Sequence, residues 1–148
     1  MQKRCAYVMI VAMLLLLISG CGLGDWRFDL YHGYAITRIN SRSINLIYYE
    51  TPDGPGSFVI ERFFVTDFCM NQRFIAVKGI STEDVFASEK ELARKERWFY
   101  LVDTECAAVY GPYSDLGDFE AQCESVAAGD LGTWRSTAGL ADARKTGE

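Results

Sequence analysis

The chain has very little histidine or proline and no excess of positive charge. Its 148 residues include one histidine and three prolines, and 15 basic side chains face 20 acidic ones. One histidine cannot build a histidine-rich zinc site, and His32 has no neighbouring acid or thiol motif that would make a catalytic triad. We therefore interpret His32 as a turn residue. We expect no metal, no cofactor and, without a basic patch, no nucleic-acid partner.

The one long apolar run covers residues 6–18 and follows Lys3 and Arg4. It has about the length of a signal-peptide hydrophobic region and is short for a membrane helix, which needs ~20 residues. The run ends in Ile18-Ser19-Gly20-Cys21, which resembles the lipobox of bacterial lipoproteins. In that family the cysteine thiol receives a diacylglycerol, the peptide is cut just before the cysteine, and the new amino group is acylated. The resemblance implies that Cys21 carries acyl chains, palmitate among them, that anchor the protein in a membrane.

Two other interpretations of the N-terminus stay open: an uncleaved membrane helix in which Cys21 is incidental, and a secretory peptide cleaved elsewhere. The leading interpretation is a cell-envelope lipoprotein that is attached to the membrane through the lipid on Cys21. Gly22 stands where an inner-membrane retention signal has aspartate, which favours the outer membrane if the host has two membranes. Loss of Lys3 and Arg4 leaves 13 basic side chains against 20 acidic ones, a formal charge of −7. This acidity favours solubility or a basic partner.

The chain divides into four segments. We assign residues 1–20 to the lipoprotein signal peptide and residues 21–24 to a lipidated tether. Residues 25–131 are predicted to form one domain, which is long enough to bury a hydrophobic core. Residues 132–148 are small and polar apart from Trp134, and we expect them to be a flexible tail.

Short β-rich segments separated by turn residues run through most of the domain. Residues 34–40 and 43–49 flank Ser41-Arg42 as a hairpin. Residues 57–68 are predicted to be a single long strand with large apolar groups on both faces, so we expect a covering layer on each side. Further strands are predicted at residues 73–80, 97–103 and 107–113.

One helix is predicted near the end of the domain. Its apolar residues recur at helical spacing: Leu116, Phe119, Cys123 and Val126. Ser114 or Asp115 can cap the first turn, and Gly129 can end the helix. The charged segment 81–97 is either a short surface helix or a mobile connection. Together these elements predict a mainly β or α+β fold, with a curled or two-layered antiparallel sheet of about six or seven strands and one C-terminal helix.

Of the five cysteines, Cys5 lies in the signal peptide and Cys21 is the lipid acceptor. The other three would meet an oxidising compartment after export. We predict a disulfide between Cys106, just past a hairpin tip, and Cys123, on the inward face of the helix. This pairing leaves Cys69 free, or paired between molecules. The alternative is that Cys106 is an exposed turn residue and Cys123 a small core residue.

Residues 98–119 carry a second resemblance. An aromatic strand ends in Asp103-Thr104, and Val109-Tyr110-Gly111-Pro112 leads into a helix with an inward Phe119. Together with the lipobox, this pattern resembles a family of small bacterial lipoproteins that contain a domain of unknown function. The family has no agreed activity, so the resemblance implies the architecture alone. We expect Gly111-Pro112 to be a structural turn.

No group of residues points to catalysis. Asp67 and Asp103 lie at predicted strand ends, and nothing in the sequence brings them together as the paired carboxylates of a glycosidase. The many aromatic residues are interpreted mainly as core, although one member of an adjacent pair such as Tyr48-Tyr49 can reach the surface. The leading interpretation is a non-enzymatic envelope protein that binds another protein, such as an immunity protein or an inhibitor. The alternatives are an envelope structural or assembly factor and, third, an enzyme.

Overall fold

A computed structural model describes residues 25–40, 43–84 and 94–140. Within these residues the chain forms nine strands and one α-helix. The strands are β1 (Trp26–Asp29), β2 (Tyr34–Asn40), β3 (Ser43–Tyr49), β4 (Gly56–Phe58), β5 (Phe63–Met70), β6 (Phe74–Ser81), β7 (Trp98–Asp103), β8 (Ala108–Tyr113) and β9 (Arg135–Ser136), and the helix is α1 (Leu116–Ser125). Two short 3₁₀ helices, Thr82–Asp84 and Thr137–Gly139, complete the described elements.

The strands form two antiparallel sheets. The smaller sheet has the order β1-β2-β3-β4, and the larger sheet has the order β8-β7-β6-β5-β9. The predicted fold class, mainly β or α+β with one helix near the C-terminus, is confirmed. The strands of the described chain outnumber the six or seven expected, because short strands such as β4 and β9 carry too weak a pattern to be predicted.

The predicted hairpin around residues 41–42 is confirmed by the pairing of β2 with β3. Ile36 lies opposite Leu46 in this pairing, and both side chains are fully buried. Alternate residues of the two strands therefore face the core, as the period-two pattern requires. The hairpin of β7 and β8 is likewise confirmed, with Val102 opposite Val109.

The prediction of one long strand over residues 57–68 is wrong. The segment is divided between β4 and β5 by a turn in which Arg62 has a φ of +54° and Ile60 is buried. The chain leaves the smaller sheet and enters the larger one at this turn. Apolar residues continue through it because Val59 and Ile60 of the turn pack against the core, so the sequence pattern does not mark the break.

The larger sheet is covered on both faces, as expected. Its first face packs against the smaller sheet in a core of buried residues: Trp26, Tyr34, Ile36, Ile44, Leu46, Ile60, Phe63, Val65, Phe68, Ile75, Val77, Val102 and Leu140. Its second face packs against α1 and the segment after it, with the buried residues Cys69, Phe74, Ala76, Leu101, Phe119 and Ala128. Burial of apolar surface on both faces explains why these strands do not alternate cleanly between polar and apolar residues.

Helix α1 begins after Asp115, whose side chain accepts hydrogen bonds from the backbone nitrogens of Gly117 (2.8 Å) and Asp118 (3.3 Å). This cap satisfies two of the backbone donors that a helix leaves free in its first turn. Phe119 is buried against the sheet, and the chain past the helix reaches Gly129, which has a φ of +70°. The predicted helix and its N-terminal cap are thus confirmed, but the helix ends at Ser125 with Val126 as its C-cap, so Gly129 does not end it as predicted.

Gly111 and Pro112 lie inside β8 rather than in the turn that we predicted for them. The register shifts between the pairs Leu101–Tyr110 and Phe99–Tyr113, so the two residues oppose Tyr100 alone as a β-bulge. Strand β8 is an edge of the larger sheet. A proline is tolerated in a bulge of an edge strand because its missing N–H group is not needed for pairing in the centre of the sheet.

The described part of the predicted flexible tail, residues 132–140, is packed. Strand β9 pairs with β5, with Arg135 opposite Phe68. The Thr137 hydroxyl lies 3.0 Å from the carbonyl oxygen of Val65, and Leu140 is buried in the first core. The prediction of flexibility is wrong for these residues, because single apolar and hydroxyl groups in a polar segment are enough to complete the core. Residues 141–148 lie outside the described residues.

Other predictions also fall on residues outside this description. They are the signal peptide, Cys21 with its tether, and most of the charged segment 81–97. Among the residues that are described, no helix is both long enough and apolar enough to cross a membrane.

Candidate functional site

Three hairpin turns meet at one end of the two sheets. They are residues 30–33 between β1 and β2, 71–73 between β5 and β6, and 104–107 between β7 and β8. Nε2 of His32 lies 3.1 Å from the carbonyl oxygen of Gln72. Thr104 donates to the carbonyl oxygen of Arg73 through its backbone nitrogen (2.9 Å) and its hydroxyl (2.6 Å). We call this end the turn surface, and its exposed side chains are Tyr31, His32, Tyr48, Arg73, Glu105 and Cys106.

The turn between β1 and β2 depends on Gly33. Its φ is +82°, and a Cβ atom there would lie 2.6 Å from the carbonyl oxygen of Tyr49. The backbone nitrogen of Tyr49 donates to the carbonyl oxygen of Gly33 at 2.8 Å. Glycine is the residue that accepts both the positive φ and the close backbone approach. His32, with a φ of +57°, is a turn residue as predicted.

The turn between β5 and β6 is held by the side chain of Asn71. Its Oδ1 accepts from the backbone nitrogens of Arg73 (2.9 Å) and Phe74 (2.8 Å), which is the local pattern that favours asparagine in turns. Its Nδ2 donates to the carbonyl oxygen of Ala128 at 2.7 Å, just past α1. Asn71 therefore fixes the turn and joins it to the helix side of the molecule.

Arg73 is fixed in place by Asp103. Nε of Arg73 lies 3.1 Å from both carboxylate oxygens, and a terminal nitrogen lies 2.6 Å from Oδ2. The side chain of Asp103 is 3% exposed, whereas that of Arg73 is 49% exposed. The hydrogen bonds from Arg73, aided by others from the backbone of Glu105 and the thiol of Cys106, lower the pKa of Asp103 to about 2 against the opposing effect of burial. The pair therefore presents an oriented, half-exposed guanidinium to solvent.

Two exposed tyrosines belong to the same turn surface as Arg73. Tyr31 is 47% exposed and Tyr48 is 40% exposed. Tyr48 packs over the buried Tyr34, with ring centroids 5.1 Å apart. Burial is the main cause of a raised pKa at Tyr34, and Asp103 contributes to it, which places Tyr34 beneath the same site. Tyrosine and arginine are the residue types that most often dominate protein–protein binding energies.

A second concave site lies between α1 and the larger sheet. It has a volume of about 300 Å³. We call it the helix pocket, and its lining residues are Cys69, Leu116, Phe119, Glu120, Cys123, Glu124, Gly129, Leu131, Gly132 and Trp134. Phe119 and Trp134 form its aromatic wall, with ring centroids 6.2 Å apart.

The predicted disulfide between Cys106 and Cys123 is not formed. Cys69, Cys106 and Cys123 are free thiols in the described structure. Cys106 lies in the turn after β7, where it contacts Asp103, whereas Cys123 lines the helix pocket together with Cys69. The physical reason is that Cys123 packs against the second core with Cys69, whereas Cys106 is exposed in the turn after β7.

The structure separates the two acids that we considered as a catalytic pair. Asp67 contacts Lys78 at 3.3 Å, and Asp103 contacts Arg73. Each carboxylate is thus paired with a different basic side chain. Among the described residues, no three histidine, cysteine, aspartate or glutamate side chains come together as a potential metal site.

Sequence reasoning singled out neither Tyr31 nor Arg73 as a functional residue. The adjacent pair Tyr48-Tyr49 did indicate that one ring faces away from the core, and Tyr48 is that ring. The role of Arg73 had no local signal, because its partner Asp103 is 30 residues away in the chain. Comparison with protein-family models, with curated proteins and with solved structures gives no match to this chain.

Proposed function

We propose that the protein is a lipid-anchored envelope protein that binds another protein through the turn surface, as an immunity protein or an inhibitor would. The observation that carries the proposal is the exposure of Tyr31, Tyr48 and the guanidinium of Arg73 at the same end of the two sheets. Rigid aromatic rings and an oriented arginine bind a partner with little loss of side-chain entropy.

The position of the anchor supports this choice of surface. Strand β1 starts at Trp26, opposite Arg38, and ends at Asp29, opposite Ala35 and next to the turn surface. Cys21 precedes Trp26 by five residues in the sequence, and Trp26 is at the end of β1 away from the turn surface. A strand of eight residues such as β5 spans ~26 Å. An anchor just before β1 is consistent with our proposal that the turn surface is free to meet a partner in the compartment.

Catalysis is the weaker hypothesis because the site offers no activated group. Asp103 is engaged by Arg73, and His32 contacts a backbone carbonyl oxygen rather than an acid or a thiol. A general base or nucleophile requires a partner that adjusts its reactivity. The charge of the turn surface is mixed, with Arg73 lying 3.3 Å from Glu105. Such a surface suits a protein partner better than a strongly charged polymer.

The proposal is tested by cross-linking and purifying the full lipidated protein from the envelope of its host. We expect one protein to be recovered in a fixed ratio from the wild type. Tyr31→Ser and Tyr48→Ser should each reduce its recovery at least tenfold, since loss of a central aromatic contact typically costs ~2 kcal/mol or more.

The matched control is Ile39→Ser. Ile39 is 44% exposed, close to the value for the two tyrosines, but it lies near the far end of β2. This variant should retain the partner. Equal recovery with all three variants would place the binding surface elsewhere. Recovery of many proteins in small amounts would instead favour a structural or assembly factor.

A further inference from the structure

We propose that Cys69 of β5 and Cys123 of α1 are an oxidation site, at which a disulfide joins the helix to the larger sheet. Both residues line the helix pocket and both belong to the second core. The proposal does not depend on the turn surface, but it rests on the proposed export of the protein to an oxidising compartment. It replaces the pairing with Cys106 that the sequence favoured.

The geometry of the sheet places Cys69 beneath the helix. Cys69 lies opposite Ala76, which in turn lies opposite Leu101, and all three are buried on the face that α1 covers. Phe119 packs on this face, and Cys123 follows it by one helical turn, so their side chains share one side of α1. Cys123 is therefore directed towards the same face of the sheet.

Hydrogen bonds fix the two cysteines at the same end of the helix. Asn71, two residues after Cys69, donates to the carbonyl oxygen of Ala128 at 2.7 Å. The backbone nitrogen of Ala128 donates to the carbonyl oxygen of Cys123 at 2.9 Å. This short path links the end of β5 to the last turn of α1. The two thiols are thus held near each other by contacts that do not involve sulfur.

The electrostatics of the thiols agree with this proximity. The pKa of Cys69 is raised to about 12. Burial is the largest cause, and the negative charge of an ionised Cys123 is the second largest. Burial also raises the pKa of Cys123. Cys69 is buried whereas Cys123 is half-buried, so Cys123 is the thiol that an external reagent reaches first.

The reaction needs a disulfide oxidant, which an oxidising export compartment supplies as a protein or small-molecule disulfide. Cys123 loses its proton to water, and its thiolate attacks one sulfur of the oxidant. A mixed disulfide forms, and the other sulfur leaves as a thiolate. Cys69 then loses its proton and attacks Sγ of Cys123, which expels the second sulfur of the oxidant. Two thiols lose two electrons and two protons, and the oxidant's disulfide becomes two thiols.

The experiment uses the full protein, reduced and then treated with glutathione disulfide. Free thiols are alkylated before digestion with trypsin and a glutamate-specific protease. Trypsin alone is insufficient, because residues 98–135 contain no site for it before Arg135 and hold both Cys106 and Cys123. Cleavage after Glu105, Glu120 and Glu124 separates the two.

We expect peptide 63–73 joined to peptide 121–124, lighter by two hydrogen atoms than the sum of the reduced peptides, with Cys106 alkylated. Any disulfide that contains Cys106 as the main product would overturn the proposal. Alkylation of both Cys69 and Cys123 after oxidation would overturn it equally. Cys106→Ser, which changes an exposed turn residue, should give the same joined peptides as the wild type.

A second readout follows the stability of the oxidised protein. The melting temperature should fall when dithiothreitol is added to the oxidised wild type, because the bond closes a loop between residues distant in sequence. Cys123→Ala should melt at the same temperature with and without dithiothreitol, while Cys106→Ser should keep the dependence. A dependence that survives in Cys123→Ala would contradict the assignment.

Discussion

The ring of Phe119 stacks on the ring of Phe99, with centroids 5.4 Å apart and planes inclined by 29°. Tyr113 and Trp134 meet the same ring edge-on or tilted, at 6.3 and 6.2 Å. One side chain of α1 thus contacts β7, β8 and the segment before β9. This contact fastens the helix to the larger sheet and forms one wall of the helix pocket.

Phe119→Ala should lower the free energy of unfolding by ~3–5 kcal/mol, because it removes a buried aromatic ring and leaves a cavity among three others. That loss is a large share of the ~5–15 kcal/mol that holds a typical domain. Urea unfolding followed by tryptophan fluorescence measures it, since Trp134 is a neighbour. Leu116→Ala on the same helix, at a position 45% exposed, should cost less than ~1 kcal/mol. A larger loss at Leu116 than at Phe119 would contradict this account of the packing.

The helix was predictable because its signals are local. Asp115 caps it, and Phe119 and Cys123 lie one turn apart on its buried side, although the helix ends at Ser125, before the predicted Gly129. All of these are separated by a few residues in the chain. The hairpins were predictable for the same reason, since the turn residues lie between two alternating runs.

The break between β4 and β5 was not predictable in this way. Ile60 is buried within the turn itself, so the apolar pattern continues while the chain passes between sheets. The packing of Thr137 and Leu140 likewise depends on partners about 70 residues earlier, such as Val65. Contacts of this kind are fixed by the tertiary arrangement and leave no periodic pattern.

The candidate site likewise contains residues with a local sequence signal and residues whose role depends on distant contacts. Gly33 and Asn71 are turn residues whose type alone indicates their role. The ion pair of Arg73 with Asp103 joins two hairpins, and no spacing in the sequence encodes it. The exposure of Tyr31 could not be predicted from the sequence pattern either, because tyrosine is common both in cores and on binding surfaces.

Acid should remove the contribution of Asp103 to stability between about pH 4 and pH 2. Arg73 lowers the pKa of this carboxyl to about 2 in the folded chain, whereas an unfolded aspartate titrates near ~3.9. The folded state therefore favours the ionised form. The contribution is complete above pH 4 and is lost as the pH falls through 2. Urea unfolding at a series of pH values measures the effect.

Asp103→Asn is the matched variant, because it removes the titrating group and keeps the shape. The wild type should be more stable than this variant at pH 6, and the difference should shrink steadily from pH 4 to pH 2. Arg73→Gln should raise the pKa of Asp103 and move the acid transition to higher pH. Stability curves for wild type and Asp103→Asn that stay parallel below pH 4 would show that the ion pair is not formed.

Gly111→Val should destabilise the fold by ~2 kcal/mol or more, because the bulge in β8 requires a glycine. The φ of Gly111 is +128°, and an added Cβ would lie 2.8 Å from the carbonyl oxygen of Phe99. A fall of several degrees in the melting temperature is expected for a domain of this size. The control is Gly139→Val, where the added Cβ would meet nothing within 4 Å. Equal melting temperatures for wild type and Gly111→Val would argue against a constrained bulge.

Cys21→Ser should abolish acylation and leave the precursor uncut, because a hydroxyl replaces the thiol that we propose as the acceptor of the diacylglycerol. Cells fed labelled palmitate should incorporate label into the wild type and not into this variant, which gel electrophoresis should show at the higher mass of the precursor. Cys5→Ser is the matched control, since it alters a cysteine on the other side of the apolar run 6–18 and should change neither result. Label on Cys21→Ser, or its loss from Cys5→Ser, would assign the anchor to a different residue.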